Sequence, residues 1–151
     1  NPRVIVMATP MTIREEKFQK LLKQFTSRAQ VISLPCPGLV EFVERGELES
    51  EALDDFLSVL FGPYRDEPID AVVLGCTHYP LIRESIQKSL GSGVAVFDGG
   101  AGTARETLRK LKEYKILSDS TEQGTVVFEN STGDERMIEL SRYLLERNLK
   151  H

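Results

Sequence analysis

Three consecutive side chains, Cys76, Thr77 and His78, can together move protons and bind an anion. The apolar run at 72–74 before them predicts a buried strand. Pro80 and the apolar residues that recur after it at helical spacing predict a helix. The three side chains therefore lie where a strand ends and a helix begins. Open α/β sheets bind ligands at this edge, and the partial positive charge of a helix N-terminus favours the thiolate form of Cys76.

Each of these residues has an ordinary structural explanation when it is taken alone. A single cysteine is most often a buried thiol, and a single histidine before a helix is most often a capping residue. A cysteine hydrolase would use Cys76 as nucleophile and His78 as base, although side chains two residues apart at a helix start rarely align well for that pair. A metal site is less favoured, because the cysteines and histidines lack the spacing of paired ligands. Its members would be Cys36, Cys76, His78 and His151.

Two other segments suggest chemistry but have simpler explanations. Cys36 lies between two prolines with no second cysteine nearby, so a small buried residue is favoured over a redox thiol. The glycine-rich turn at 98–102 leads from a predicted strand into a predicted helix. It does not match a nucleotide-binding loop, because a dinucleotide fingerprint needs glycine or alanine where Arg105 lies, and a Walker loop needs a Gly-Lys pair.

The composition narrows the class of protein. The chain has 151 residues, of which 40% are hydrophobic and 28% charged, which is ordinary for one globular domain with a core. Its net charge of −4 argues against a nucleic-acid partner. No apolar run is long enough to cross a membrane, and no signal segment opens the chain. Two cysteines are too few for a disulfide framework, so a cytoplasmic protein with free thiols is predicted.

Hydrophobic periodicity predicts strands that alternate with helices. The predicted strands lie at 4–8, 30–34, 71–74, 94–97 and 125–129. The predicted helices lie at 13–25, where Thr12 and Glu15 fit a capping box, at 49–61, at 79–90, after the glycine-rich turn, and from a capping box at 132–135 to about residue 147. This alternation predicts an α/β fold: a three-layer sandwich with a mostly parallel four-stranded sheet flanked by helices, plus a C-terminal strand–helix tail.

The residues around Cys76 also resemble a known family. The octapeptide at 75–82, Gly-Cys-Thr-His-Tyr-Pro-Leu-Ile, is similar to the second cysteine signature of the bacterial glutamate racemases. Three further stretches resemble segments of the same family: a Thr-x-x-Thr loop at 8–12, a signature at 36–46, and the segment at 96–106 that leaves the second lobe. Glu41 departs from the pattern, since the family usually has a neutral residue there. The resemblance covers nearly all of the chain.

The resemblance implies a two-lobed enzyme whose similar α/β lobes face each other across a cleft. Residues 1–98 would form the second lobe, and residues 99–151 would cross back and complete the first. The chain would then be roughly the second half of such an enzyme. Its start agrees with this expectation, because Asn1 leads into a strand without an initiating methionine, although a processed or tagged small protein is the alternative.

The resemblance also implies racemisation without a cofactor or a metal ion. In the family, two cysteines, one from each lobe, remove and return the α-proton on opposite faces of the substrate, and a thiol suits both roles. Cys76 would be the second-lobe cysteine, His78 would assist its proton transfer, and Glu44 would position His78. Cys36 would be structural. The substrate-binding residues would be Thr9, Thr12 and Thr77. The partner cysteine, expected in an Ala-Cys-Asn-Thr type of loop, has no match in this sequence.

The predicted substrate is glutamate, and D-glutamate would serve peptidoglycan synthesis. An aspartate or hydantoin racemase is the closest alternative, and a non-catalytic lobe that binds small molecules is the alternative from another class. We also predict a homodimer, because the strand at 125–129 would leave an unpaired edge and the last helix has a broad apolar face. That face consists of Met137, Ile138, Leu140, Leu144 and Leu145.

Overall fold

Four parallel strands form one sheet in the order β2-β1-β3-β4. The structure is a computed structural model, and it describes residues 1–148. Val4 pairs with Val31 on one side and with Ala71 on the other, so β1 is hydrogen-bonded to both β2 and β3. The predicted α/β fold with a four-stranded parallel sheet is therefore confirmed. The strands are β1 (Arg3–Ala8), β2 (Gln30–Pro35), β3 (Ala71–Leu74) and β4 (Ala95–Asp98).

Helices connect the strands and flank the sheet. Five of them lie within the sheet-containing part of the chain, and two follow it. Two short 3₁₀ turns, Gly62–Tyr64 and Tyr79–Ile82, lie after α4 and before α5. The helices are α1 (Pro10–Arg14), α2 (Glu16–Lys23), α3 (Leu39–Glu44), α4 (Glu51–Phe61), α5 (Arg83–Leu90), α6 (Gly100–Glu113) and α7 (Glu135–Asn148).

The core lies around β1, because both faces of this strand are covered. Ile5, Met7 and Ala8 have no exposed surface. A central strand of a parallel sheet is expected to be a continuous apolar run for this reason. The buried face of α4 repeats at helical spacing, through Leu53, Leu57 and Phe61.

The chain changes direction across the sheet between β1 and β3. From β1 it moves to β2 on one side, and it then returns past β1 to β3 and β4 on the other side. In open parallel sheets, ligands bind in the crevice that this reversal leaves at the carboxyl ends of the two strands. Here those ends are Ala8 and Leu74, directly before the segments that carry Thr9 and Cys76.

The first helical segment differs from its prediction. The prediction of one helix at 13–25 with a capping box at Thr12 and Glu15 is wrong. Two helices form, and the backbone is extended at Glu15 between them. The hydroxyl of Thr9 caps α1 by accepting a hydrogen bond from the Thr12 N–H (3.2 Å). Pro10 explains the earlier start, since its fixed φ suits the first helical position.

The chain divides into two compact units at the Asp98–Gly99 bond. The second unit contains α6 and α7, and residues 114–134 between them form neither helix nor strand. The predicted strand at 125–129 is therefore wrong, and Val126 and Val127 are 66% and 77% exposed. The β-branched sequence favours an extended chain, but a stable strand also needs a neighbour for its N–H and C=O groups, and the described part of this unit has no other strand.

The helices of the second unit keep much of their apolar surface in contact with solvent. Neither α6 nor α7 contains a fully buried residue in the part of the chain described. Asp134 caps α7 by accepting a hydrogen bond from the Arg136 N–H (3.0 Å), which replaces the predicted box from Thr132 to Glu135. The exposed apolar side chains of this unit include Tyr114, Ile116, Leu117, Tyr143 and Leu145.

Candidate active site

Gly75 brings the segment after β3 against the end of β1. Its N–H donates a hydrogen bond to the carbonyl oxygen of Met7 (2.8 Å). A Cβ atom at this position would lie 2.7 Å from the same oxygen and 3.5 Å from the Cβ of Ala8, so a side chain does not fit without movement of the backbone. The Cys76 segment consequently begins beside the residue that precedes Thr9, in the crevice between β1 and β3.

Cys76 and His78 contact each other directly. The Sγ of Cys76 lies 3.8 Å from the Nδ1 of His78, and the Oγ1 of Thr77 lies 3.5 Å from the same nitrogen. The N–H of Tyr79 donates to the carbonyl oxygen of Cys76 (3.3 Å) and closes the turn that holds them. The contact between the two side chains is closer than their spacing in the sequence led us to expect. The thiol can therefore exchange its proton with the imidazole.

Glu44 lies on the far side of the imidazole. Its Oε1 is 3.6 Å from the Nε2 of His78, and the two side chains are 49% and 35% exposed. Glu44 is the last residue of α3, a helix that the sequence did not predict. Gly38 precedes α3 in the left-handed region (φ +86°), which explains how a helix can begin directly after the prolines. The structure thus joins Cys76, His78 and Glu44 into one row.

Thr9 and Thr12 lie after β1, on the strand next to β3. Their Oγ1 atoms are 2.9 Å apart, and both side chains are half-buried. Thr9 also has a structural role, because its hydroxyl caps α1. No hydrogen bond in residues 1–148 joins either threonine to Cys76, Thr77 or His78. Their contact with a substrate stays a prediction.

Three backbone N–H groups around the thiol have no partner in the protein. In the described chain, the N–H groups of Cys76, Thr77 and His78 donate no hydrogen bond to a protein acceptor. The side chain of Thr77 is exposed, and those of its two neighbours are half-buried. Successive unpaired N–H groups suit an anion such as a carboxylate. The turn can therefore bind a negatively charged group beside the thiol.

Cys36 is the opposite of a reactive thiol. It is 2% exposed, and its thiol donates a hydrogen bond to the carbonyl oxygen of Leu34 (3.3 Å). Burial raises the pKa of Cys36 to about 12. The prediction of a small buried residue at this position is confirmed.

Sequence reasoning gave Tyr79 no role, although it lies inside the signature octapeptide. It is fully buried, and burial raises the pKa of its hydroxyl well above the ordinary value. The signal that could have identified it is its position directly after His78, at the start of the turn Tyr79–Ile82. Because Tyr79 directly follows Cys76, Thr77 and His78, its burial anchors the end of their segment.

Residues 1–148 contain neither a candidate metal centre nor a candidate membrane span. No group of three or more His, Cys, Asp and Glu side chains there is placed to hold a metal ion. His151, a member of the metal site considered from the sequence, lies outside the described residues. None of the described helices is both long and apolar enough to cross a membrane.

The sequence of the chain is also similar to that of known proteins. The family model described as Asp/Glu/Hydantoin racemase matches residues 1–107. The chain belongs to this racemase family. The match includes both strands of the crevice, the Cys76–His78 turn and Glu44, so the row of side chains lies within the matched residues.

Curated relatives in the racemase family are named glutamate racemases. The protein of Clostridium botulinum (strain Alaska E43 / Type E3) is 43% identical over 143 residues. The protein of Clostridium perfringens (strain ATCC 13124) is 46% identical over the same length. Each match covers 95% of this chain and 55% of the relative. The chain therefore spans about half the length of the curated relatives it matches.

Solved racemase structures share the fold. A glutamate racemase from Francisella tularensis in complex with D-glutamate superposes with a TM-score of 0.81 at 26% identity. The match covers 97% of this chain and 55% of the Francisella tularensis chain. The Escherichia coli glutamate racemase, in complex with L-glutamate and the activator UDP-MurNAc-ala, gives a TM-score of 0.77 at 27% identity, with 95% and 55% covered. The similarity thus extends over both units of the chain.

Proposed function

We propose that this chain is part of a cofactor-independent glutamate racemase and supplies one of its two proton-transfer groups. The observation that carries the proposal is the row of Cys76, His78 and Glu44 at the crevice between β1 and β3. Membership of the Asp/Glu/hydantoin racemase family supports the reaction class. Glutamate is favoured as substrate because relatives with 43% and 46% identity are glutamate racemases.

Racemisation removes the α-proton of the amino acid and returns a proton to the opposite face. In our proposal, His78 takes the thiol proton of Cys76, and the thiolate sulfur then removes the α-proton. The electrons of the broken C–H bond pass to the substrate carboxylate, where the unpaired N–H groups around Thr77 stabilise the charge. A second acid on the opposite face donates a proton to carbon. In the reverse direction Cys76 is the acid, and Thr9 and Thr12 face the substrate from β1.

Glu44 has a positioning role in this scheme. Its carboxylate, 3.6 Å from Nε2, lies beside the positive charge that forms on the ring when His78 takes the thiol proton. It also orients the ring so that Nδ1 faces Cys76, 3.8 Å away. The row therefore resembles other sites in which a base beside a thiol is oriented by a third group.

The second proton-transfer group would come from outside this sequence. Cys36 cannot supply it, because that thiol is buried and bonded to Leu34. We propose that residues 1–98 are the second lobe of the enzyme and that residues 99–151 help to complete the first lobe. The exposed apolar side chains of α6 and α7 support this assignment, since surfaces of that kind usually pack against another element.

Racemisation assays test the proposal directly. The purified chain alone should not interconvert D- and L-glutamate, and adding the missing part of a glutamate racemase as a second polypeptide should restore turnover. Cys76→Ser in the restored enzyme should lower turnover by about 100-fold or more, because a thiol proton-transfer group is lost. Cys36→Ala is the matched control and should keep most of the activity. Robust racemisation by the chain alone would overturn the two-cysteine scheme.

Substrate choice separates the alternatives within the family. The restored enzyme should act on glutamate in preference to aspartate or a hydantoin. A chain that binds glutamate, but whose restored form exchanges no α-proton with deuterated solvent, would instead be a binding lobe. We further propose that the enzyme works in the cytoplasm and that its D-glutamate serves peptidoglycan synthesis.

We also propose that the isolated chain forms a homodimer through its second unit. Leaving the large apolar side chains of α7 in water costs roughly 1.5–3 kcal/mol for each one that could be buried. Sedimentation of the full chain against a version ending at Asp98 tests this, with a dimer expected for the full chain alone. A full chain that stays monomeric at high micromolar concentration, with protected amides in residues 99–148, would contradict it.

A further inference from the structure

Tyr79 holds the end of the reactive segment in the core. It follows His78 directly, and its N–H closes the turn that starts at Cys76. Its side chain has no exposed surface and is the largest of the fully buried ones in the described chain. The positions of the thiol and the imidazole therefore depend on where this ring lies.

The hydroxyl of Tyr79 is not explained by packing. Its oxygen is buried and has no hydrogen bond of good geometry with any described residue. A phenylalanine would fill the same space without the cost of desolvating a hydroxyl. A buried polar atom of this kind calls for a role beyond filling the core.

Cys36 is the polar side chain that the hydroxyl meets. The two groups are close enough to affect each other's ionisation, although the Cys36 thiol already donates its hydrogen to the carbonyl oxygen of Leu34 (3.3 Å). The backbone of Cys36 is fixed as well, because its N–H donates to the carbonyl oxygen of Ala8 (3.0 Å). The phenol thus rests on a side chain that is itself held at the edge of the sheet.

Cys36 also begins the turn that leads into α3. Its carbonyl oxygen accepts a hydrogen bond from the N–H of Leu39 (3.4 Å), the first residue of that helix. The last residue of α3 is Glu44, which lies 3.6 Å from His78. The segment from Cys36 to Glu44 therefore contacts the segment that contains His78 and Tyr79 at two places. The Tyr79–Cys36 contact lies in the core, and the Glu44–His78 contact lies at the surface.

We propose that Tyr79 is a positioning residue, whose buried phenol seated against Cys36 sets the spacing between His78 and Glu44. The inference rests on the proposed function, in which Glu44 acts on the thiol of Cys76 through His78. Its effect should therefore appear in the chemistry of Cys76 and should depend on Glu44.

The experiment measures how fast iodoacetamide alkylates Cys76 in the full chain between pH 5 and pH 9, with mass spectrometry to assign the site. Glu44→Gln should slow alkylation near pH 7, because the negative charge 3.6 Å from the imidazole that acts on the thiol is lost. Tyr79→Phe should change the rate in the same direction by at least about twofold, the lower end of coupling between contacting residues. Its melting temperature should stay the same or rise, because a buried unsatisfied hydroxyl is removed.

Two comparisons make the result specific. In the Glu44→Gln background, Tyr79→Phe should have little further effect, since both changes act on one contact. Tyr64→Phe, a matched substitution elsewhere in the first unit, should leave the profile unchanged. A Tyr79→Phe profile identical to the wild type, or an equal slowing with and without Glu44, would overturn the inference while leaving the proposed function intact. A silent Glu44→Gln would contradict the proposed role of Glu44 and, with it, the inference.

Discussion

The two cysteines of this chain have the same position in the fold but opposite surroundings. Each follows a strand that pairs with β1, and each segment is tied to the end of β1 by a backbone hydrogen bond, from Cys36 to Ala8 and from Gly75 to Met7. After β2, the Cys36 thiol is buried and donates a hydrogen bond to the carbonyl oxygen of Leu34. After β3, the thiol is partly exposed and contacts His78. These different surroundings predict that the two thiols differ in reactivity.

The largest expected difference between the two thiols is in their rate of alkylation. Iodoacetamide at pH 7.5 should label Cys76 at least about 100-fold faster than Cys36, because a buried thiol with a pKa of about 12 reacts only after local opening. Mass spectrometry of partly labelled protein measures the ratio. In urea, where the fold is lost, both thiols should react at similar rates. Faster labelling of Cys36 in the native chain would contradict both assignments.

A substitution at Gly75 tests the packing of the Cys76 segment against β1 without changing the Cys36 segment. Gly75→Ala places a Cβ 2.7 Å from the Met7 carbonyl oxygen, so β1 or the Cys76 segment must move. We expect a loss of about 1–3 kcal/mol in the free energy of unfolding, as for other overpacked sites. Urea denaturation measures it. Gly93→Ala is the control, because a Cβ added there would meet no atom within 4 Å, and an equal loss there would contradict the explanation.

The smallest expected effect is on how the free energy of unfolding changes with pH. The pKa of Cys36 is about 12 in the folded chain against an ordinary value of 9.0, so the unfolded chain loses this proton first as pH rises. The stabilisation is complete below pH 9 and is lost progressively as pH rises towards 12. The wild type should therefore lose more stability than Cys36→Ala between pH 8 and pH 10, by roughly 1 kcal/mol.

Urea denaturation of the two variants at both pH values measures this difference. Burial also raises the pKa of Tyr79, so this residue also lowers the free energy of unfolding as the pH rises, but at higher pH. Because both proteins contain Tyr79, its contribution cancels in the difference. A slope that is the same with and without Cys36 would contradict the buried, protonated thiol.

Local patterns predicted the sheet and the place of the site. β3 was predicted with its observed bounds, because an apolar run between polar segments has few other solutions. The position of Cys76 at the carboxyl end of this strand followed from the same pattern. The strand at 125–129 had equally good local propensity and still failed, since strand pairing depends on a neighbour that residue types nearby do not reveal.

Contacts between distant residues needed more than local pattern. The row from Cys76 through His78 to Glu44 depends on α3, which begins at a glycine with positive φ among prolines and looks like a loop in the sequence. Glu44 entered the predictions through resemblance to a family, and its distance from His78 became known from the structure. Tyr79 was missed, because a tyrosine beside reactive residues gives no sign of burial on its own.

The central position of β1 has a consequence for synthesis of the chain. Val4 pairs with Val31 and also with Ala71, so one side of β1 waits for a strand that is made much later. Ribosomes add about 5–20 residues per second, and roughly 3–13 seconds therefore pass between residues 4 and 71. During that interval an apolar edge of the future core is unpaired, and the nascent chain is most exposed to aggregation and to chaperone binding before β3 emerges.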